Sequence, residues 1–194
     1  KNNKESYEKD LNPVLVKRID SMAAVDQKYR VALRSHSNDS GKLQIKELKT
    51  KIKEIDSLNY IELEKIVSQF GFLTKKQLGN RASNNFWLLI QHQDKHINFQ
   101  NHMLKLMAPL LDSNLVYKSN FAYLYDRVQI NNDSLQLFGT QLRLNSDSTS
   151  YETFDVFNID SLDERRKSYN LSPISQYIKR MNTVNEKRLK INSK

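Results

Sequence analysis

The chain has 194 residues and a net charge of +9, from 31 Lys and Arg against 22 Asp and Glu, which is length for one well-cored domain and short for two. It has no cysteine, so disulfides and thiolate chemistry are excluded, and no apolar run approaches the roughly 20 residues of a membrane helix. With four Gly, three Pro, eight Phe and nine Tyr, it favours long helices around an aromatic core over a many-stranded sandwich.

Residues 1–12 read as a flexible polar segment, 13–191 as a single globular domain and 192–194 as a tail. The first residues are rich in Asn and Lys and suit the linker after an export signal. The expectation therefore leans to an exported protein of the periplasm or cell envelope, with the cytoplasm as alternative. Asn12-Pro13 predicts an N-cap and first turn. The helix they open runs to about Ser35 with Leu15, Ile19, Met22, Ala23, Tyr29 and Leu33 on its apolar face. Asp26 stands where that pattern asks for an apolar residue, with Gln27 beside it and Arg30 at the i,i+4 spacing of an ion pair. It is either part of a salt-bridged helix face or a buried acid contributing to a site.

A loop is predicted at Ser35–Gly41, holding His36, followed by helical spacing at Leu43–Ile55 and a short amphipathic helix at Tyr60–Phe70 that Gly71 ends. Asp56–Asn59 separates the two. Thr74 caps a short turn, and Gly79 punctuates before a central helix covering Phe86–Met107. At about 100° per residue, His92, His96 and Gln100 fall inside that helix's apolar arc. Pro109 closes it, and Asn114–Leu124 reads as a further helical turn. The period then changes to two. Arg127–Ile130 and Leu135–Phe138 alternate around Asn131–Ser134, which predicts a β-hairpin near 126–142 with a bend at Gly139-Thr140-Gln141. Residues 145–151 read as a polar loop, and Asp160–Tyr169 as a charged helix ended by Asn170. Ser172-Pro173 opens a last amphipathic helix through Tyr177 and Met181. The fold class is α+β: a mainly α-helical single domain with one small antiparallel β-hairpin.

The lysines of 42–53 alternate with Glu47 and neighbour Glu54, as on solvated helix faces. The one basic cluster, Lys179 to Lys194, has no aromatic stacking motif beside it, so nucleic acid is not the expected partner. His92 and His96 have the i,i+4 spacing of two metal ligands, but no Glu stands between them as in H-E-x-x-H and no third ligand is signalled. No metal and no cofactor is expected. There is no G-x-S-x-G and no glycine-rich loop for phosphates.

Six segments occur in order: DQKYR (26–30), QFGF (69–72), LIQHQD (89–94), AYLYDRV (122–128), LQLFGTQ (135–141) and LDERRKSYNLSPISQY (162–177). Together they resemble a bacterial family of unknown function whose members carry DQ-x-x-R, G-W-P, Q-H-A-D, A-Y-L-x-D-R, Y-G-T-Q and D-x-R-R-x-x-x-G-L-x-P-L. Here Phe72-Leu73 stands for the Trp-Pro, Gln93 for the Ala, Phe138 for the Tyr and Asn170 for the Gly. The resemblance implies a fold unit and a site, not a reaction. The polar motifs are expected to converge around His92, since each would otherwise leave a buried polar group unsatisfied.

Two functions follow. The first is a ligand-binding or interaction domain whose polar cleft holds a small polar or anionic group through Gln27, Arg30, Gln91, Asp94, Gln100, Arg127, Gln136 and Gln141. The alternative is an acid–base enzyme, a hydrolase or lyase. There His92 carries the proton, Asp126 or Asp26 orients it, and Arg127 or Arg30 clamps an anion. A buried hydrogen-bond network that staples the fold competes with both.

Overall fold

A computed structural model describes residues 11–35, 42–147 and 149–192. The expected N-terminal segment up to residue 10, the loop around His36 and the last two residues of the tail lie outside them. Among the described residues are seven α-helices and one two-stranded antiparallel sheet, so the chain is mainly helical with a single β-hairpin. Its backbone gathers into two compact units, Lys1–Val116 and Tyr117–Lys194.

In the first unit, α1 (Pro13–Ser35) packs on α2 (Lys42–Phe70) and α3 (Lys75–Gln91). Asn12 caps α1, its Oδ1 accepting the Leu15 N–H at 3.1 Å. α2 is one helix of 29 residues, not two: Asp56–Asn59 continue it, because no Gly or Pro interrupts 42–70 and Asn59 turns into the core. Gly71 ends it at φ 69°, its N–H on the Val67 carbonyl at 2.8 Å. Inside α3, Gly79 at φ 70° sets a first turn apart from the rest. Ile19 of α1, Leu63 and Ile66 of α2, and Phe86, Leu89 and Ile90 of α3 are almost wholly shielded from water. Each such side chain contributes about 1.5–3 kcal/mol.

The central helix is broken. α3 stops at Gln91, residues 92–96 form turns, and α4 runs Ile97–Met107. Side-chain amides take up carbonyls that the break leaves without main-chain partners. Gln100 Nε2 donates to the carbonyls of Ile90 and Gln91, both at 3.2 Å, and Gln93 Nε2 to that of Leu89 at 3.2 Å. His92 and His96 therefore do not share one continuous helical face.

In the second unit, the hairpin lies later than its expected place at 126–142. Residues 127–130 belong to α5 (Lys118–Asn131), where Leu124 and Val128 are buried at i,i+4 spacing. The turn residues after it end that helix in a Schellman motif: Asp133 at φ 53° donates to Ile130 O at 3.1 Å, and Ser134 to Gln129 O at 2.9 Å. Residues 135–138 contribute an isolated parallel bridge between Gln136 and Val156. The hairpin itself pairs β1 (Leu142–Leu144) with β2 (Tyr151–Thr153), and Arg143 faces Glu152. Its turn is the expected polar loop, where Asn145 Oδ1 accepts from the Thr149 and Ser150 N–H groups. α6 (Leu162–Ser168) ends in a second Schellman motif through Asn170 at φ 58°, and α7 (Ile174–Asn192) follows. No helix among the described residues is long and apolar enough to cross a membrane.

Candidate functional site

Asp26 of α1 is buried with 2% of its surface exposed, and its carboxylate gathers three side chains. Gln27 Nε2 donates to it at 2.8 Å, Arg30 Nε at 3.0 Å, and His92 Nδ1 lies 3.0 Å from Oδ2 and 3.1 Å from Oδ1. The other arm of Arg30 reaches Asp56 on α2, Nη2 to Oδ1 at 2.5 Å. One relay, Asp56–Arg30–Asp26–His92, thus ties α1, α2 and the bend after α3.

Its exposure is graded. The Asp26 side chain is 1% exposed, that of His92 14%, Arg30 21% and Asp56 24%, so the relay is closed at the acid and open at the ring. Burial pushes the Asp26 carboxyl up, but the hydrogen bond and charge of His92, and those of Arg30, outweigh it and hold the group below the ordinary 3.8. Burial raises Asp56 above 3.8 even against Arg30. Burial would lower Arg30, yet its two carboxylates lift it above its usual value. An ionised Asp26 only accepts, so the Nδ1 facing it carries the proton. Nε2 then presents its lone pair, and it has no hydrogen-bond partner among the described residues.

His92 lines a cavity of about 190 Å³ together with Arg30, Lys53, Asp56, Ser57, Gln93, Asp94, Lys95 and His96. That is below the roughly 300–1,000 Å³ of drug-sized sites, and fits a small molecule or the tip of a larger one. His96 is fixed at its edge by stacking on Tyr60, ring centroids 3.5 Å apart and planes 4° apart. A larger cavity of about 570 Å³ beside Tyr29 and the first turns of α2 has neither a histidine nor a buried acid among its described lining residues.

The remaining expected site residues divide. Gln91 is half-buried at the end of α3, and Asp94 lines the cavity. Gln100 is fully buried with its amide N–H groups on the α3 carbonyls. Asp126, Gln136, Gln141 and Arg127 belong to the second unit. There the fully buried Asp126 carboxylate accepts the N–H groups of Leu137 (2.8 Å), Phe138 (3.0 Å) and Thr140 (2.8 Å) and the Thr140 hydroxyl (2.9 Å). Burial pushes this carboxyl up, and those donors pull against it. Gln136 imitates a strand: Nε2 donates to the carbonyls of Gln141 and Phe154, and Oε1 accepts the Gln141 N–H. Gln141 Nε2 donates to Tyr123 O at 3.3 Å and to the Thr140 hydroxyl at 3.1 Å. Arg127 is half-buried on α5.

Sequence reasoning passed over Asp56, Lys53, Ser57 and Lys95 in the first unit, and Arg166 in the second. Asp56 carries no local signal because its partner Arg30 lies 26 residues away. Arg166 is 1% exposed and makes no ion pair among the described residues; it donates to the carbonyls of Ser172, Phe138 and Gly139. Its guanidinium also lies 5.2 Å from the centre of the Tyr177 ring, whose hydroxyl donates to Thr140 O. The doubled arginine of the sixth motif was the available signal.

No curated protein and no solved structure matches the chain. One family model does, over residues 13–190, from the first residue of α1 into the last turn of α7. The chain belongs to that family, a family of unknown function (DUF6624).

Proposed function

We propose that His92 is a general acid–base group acting on a small polar substrate in the 190 Å³ cavity, in a reaction of the hydrolase or lyase type. One observation carries this reading: Nδ1 is held by a buried carboxylate at 3.0 Å, while Nε2 is left without a partner among the described residues. Asp26 fixes the tautomer and stabilises the imidazolium that forms when Nε2 takes a proton. Arg30 and Asp56 hold Asp26 in turn. Asp126, Gln136 and Gln141, expected beside His92, are assigned to the loop they bind.

A second reading is a binding domain that holds its ligand without turning it over, favoured by the amide and lysine groups around the same cavity. A screen of polar metabolites by thermal shift and by turnover separates the two, using wild type, His92→Ala and Asp26→Asn. A ligand at 100-fold over its dissociation constant stabilises wild type by about 2.7 kcal/mol. The acid–base reading expects turnover to fall by about 10²–10⁴ in His92→Ala. Binding that is lost in His92→Ala, with no turnover by wild type, selects the second reading. Equal binding by the two proteins, again without turnover, ends the His92-centred site altogether.

A further inference from the structure

Resting on that reading of the cavity, we infer that its ligand carries a small oxyanion, a carboxylate or phosphate group, held by Lys53 and Lys95 and not by Arg30. Arginine is the residue best built to clamp an oxyanion. Here two of its nitrogens are taken, Nε by Asp26 and Nη2 by Asp56, so two carboxylates already outweigh the one guanidinium. An incoming anion at Arg30 would be repelled by both of them.

The lysines differ. Lys53 stands on α2 three residues before Asp56, and Lys95 lies in the bend between α3 and α4. Both are exposed and line the cavity. Neither has a carboxylate within ion-pair distance among the described residues, whereas Lys51, on the same helix, is paired with Glu54 at 2.8 Å. Asp94 is the acid that lines the cavity without being taken by Arg30, and it has a contact of its own. Arg30, Lys53 and Lys95 balance Asp26, Asp56 and Asp94 in number, but the charges are not mixed: the relay's two carboxylates are bound to Arg30, and the two lysines at the wall carry no bound counter-ion among the described residues. An anion that meets both ammonium groups gains from each, and the small volume limits the part of the ligand held there to a few atoms beyond the charged group. The lysines then hold one end of the substrate while His92 Nε2 addresses a neighbouring polar bond.

The chain contains four histidines, so ring-labelled histidine gives four resolvable signals by NMR. The full chain is titrated with inorganic phosphate and with acetate, and with chloride at matched ionic strength. A saturable shift of the His92 ring is expected with phosphate or acetate, whichever group the site prefers, and not with chloride. In the Lys53→Gln/Lys95→Gln double variant the response is expected about tenfold weaker, the loss of two exposed charge contacts. Lys65→Gln, on α2 beside a different cavity, is expected to match wild type. No saturable shift in wild type, a chloride response of equal size, or an unweakened response in the double variant each overturns the inference. The acid–base reading fails separately: a neutral compound turned over by wild type and not by His92→Ala would sink the oxyanion and leave the mechanism standing.

Discussion

Replacing Asp126 tests whether the second unit's polar motif is a staple. Its Oδ1 accepts Leu137 and Phe138 N–H, and its Oδ2 accepts the N–H and the hydroxyl of Thr140. Asp126→Asn keeps one oxygen for the first pair and sets an NH₂ group against the second. The hydroxyl can turn and accept, but the Thr140 N–H cannot. One buried donor is stranded, at about 1–3 kcal/mol, and the surviving bonds lose their charge assistance. Relief of the burial that pushes this carboxyl up offsets part of the loss. The expected cost is about 2–3 kcal/mol for Asn and about 3–5 kcal/mol for Ala, which strands three backbone donors. Urea unfolding followed by far-UV circular dichroism measures it as a lower midpoint at unchanged slope. An Asn variant within about 0.5 kcal/mol of wild type refutes the staple, since ordinary surface positions behave that way.

Gly139→Ala is expected to destabilise more than Gly71→Ala by thermal melting. Both have positive φ, but a Cβ at 139 meets Ile174 Cδ1 at 3.3 Å and Leu162 Cδ2 at 3.5 Å, while at 71 it meets open space. Gln136→Glu, isosteric, turns a carboxylate oxygen toward the carbonyls of Gln141 or Phe154 and should cost about 2–4 kcal/mol in the same urea assay; a neutral result would mean the amide is not buried as described. Arg166→Lys should not rescue Arg166→Ala, because one ammonium cannot reach Ser172 O, Phe138 O and Gly139 O together along a planar fork. For Asp26, the folded value lies below the ordinary 3.8, so its contribution is complete above that value and is lost as pH falls through the lower one. The melting-temperature gap between wild type and Asp26→Asn should hold from neutral pH to about pH 4 and close below it. Asp56, raised by burial, works in the opposite sense, its cost being relieved as pH falls. A gap that survives unchanged into stronger acid would show that Asp26 has no depressed value.

What the sequence disclosed followed the distance between partners. Asp26 and Arg30 are one turn apart on one helix, and their pairing could be read from spacing alone. Asp56 joins the same cluster from another helix, and no window of sequence contains both ends of its bond. The bend at 92–96 was hidden for a similar reason. The residue that makes it tolerable, Gln100, acts on carbonyls nine and ten residues back. At Arg127–Ile130 the difficulty was different: four residues fit a period of two about as well as one of 3.6, and burial of Val128 beneath Leu124 decides for helix. The Asn and Asp that follow were correctly turn-forming, yet a Schellman cap uses the same residues as a hairpin.

The polar motifs themselves pose the harder distinction, because a site and a staple draw on the same residue types. What separates them is where each polar atom ends. Asp126, Gln136 and Arg166 spend their side chains mainly on backbone groups of one loop region, the arrangement that fixes irregular chain in place. In the Asp26 cluster the bonds run from side chain to side chain across three elements. They terminate on a half-buried ring beside a cavity. A network built only for stability gains from the Nδ1 contact with Asp26 but makes no use of the nitrogen left open. A Gln at position 92 could donate to Asp26 through its amide and close the relay without a titratable ring. A histidine there gives the second nitrogen something to offer, and on that ground we propose the cavity at His92, and not the better-satisfied Asp126 loop, as the ligand site.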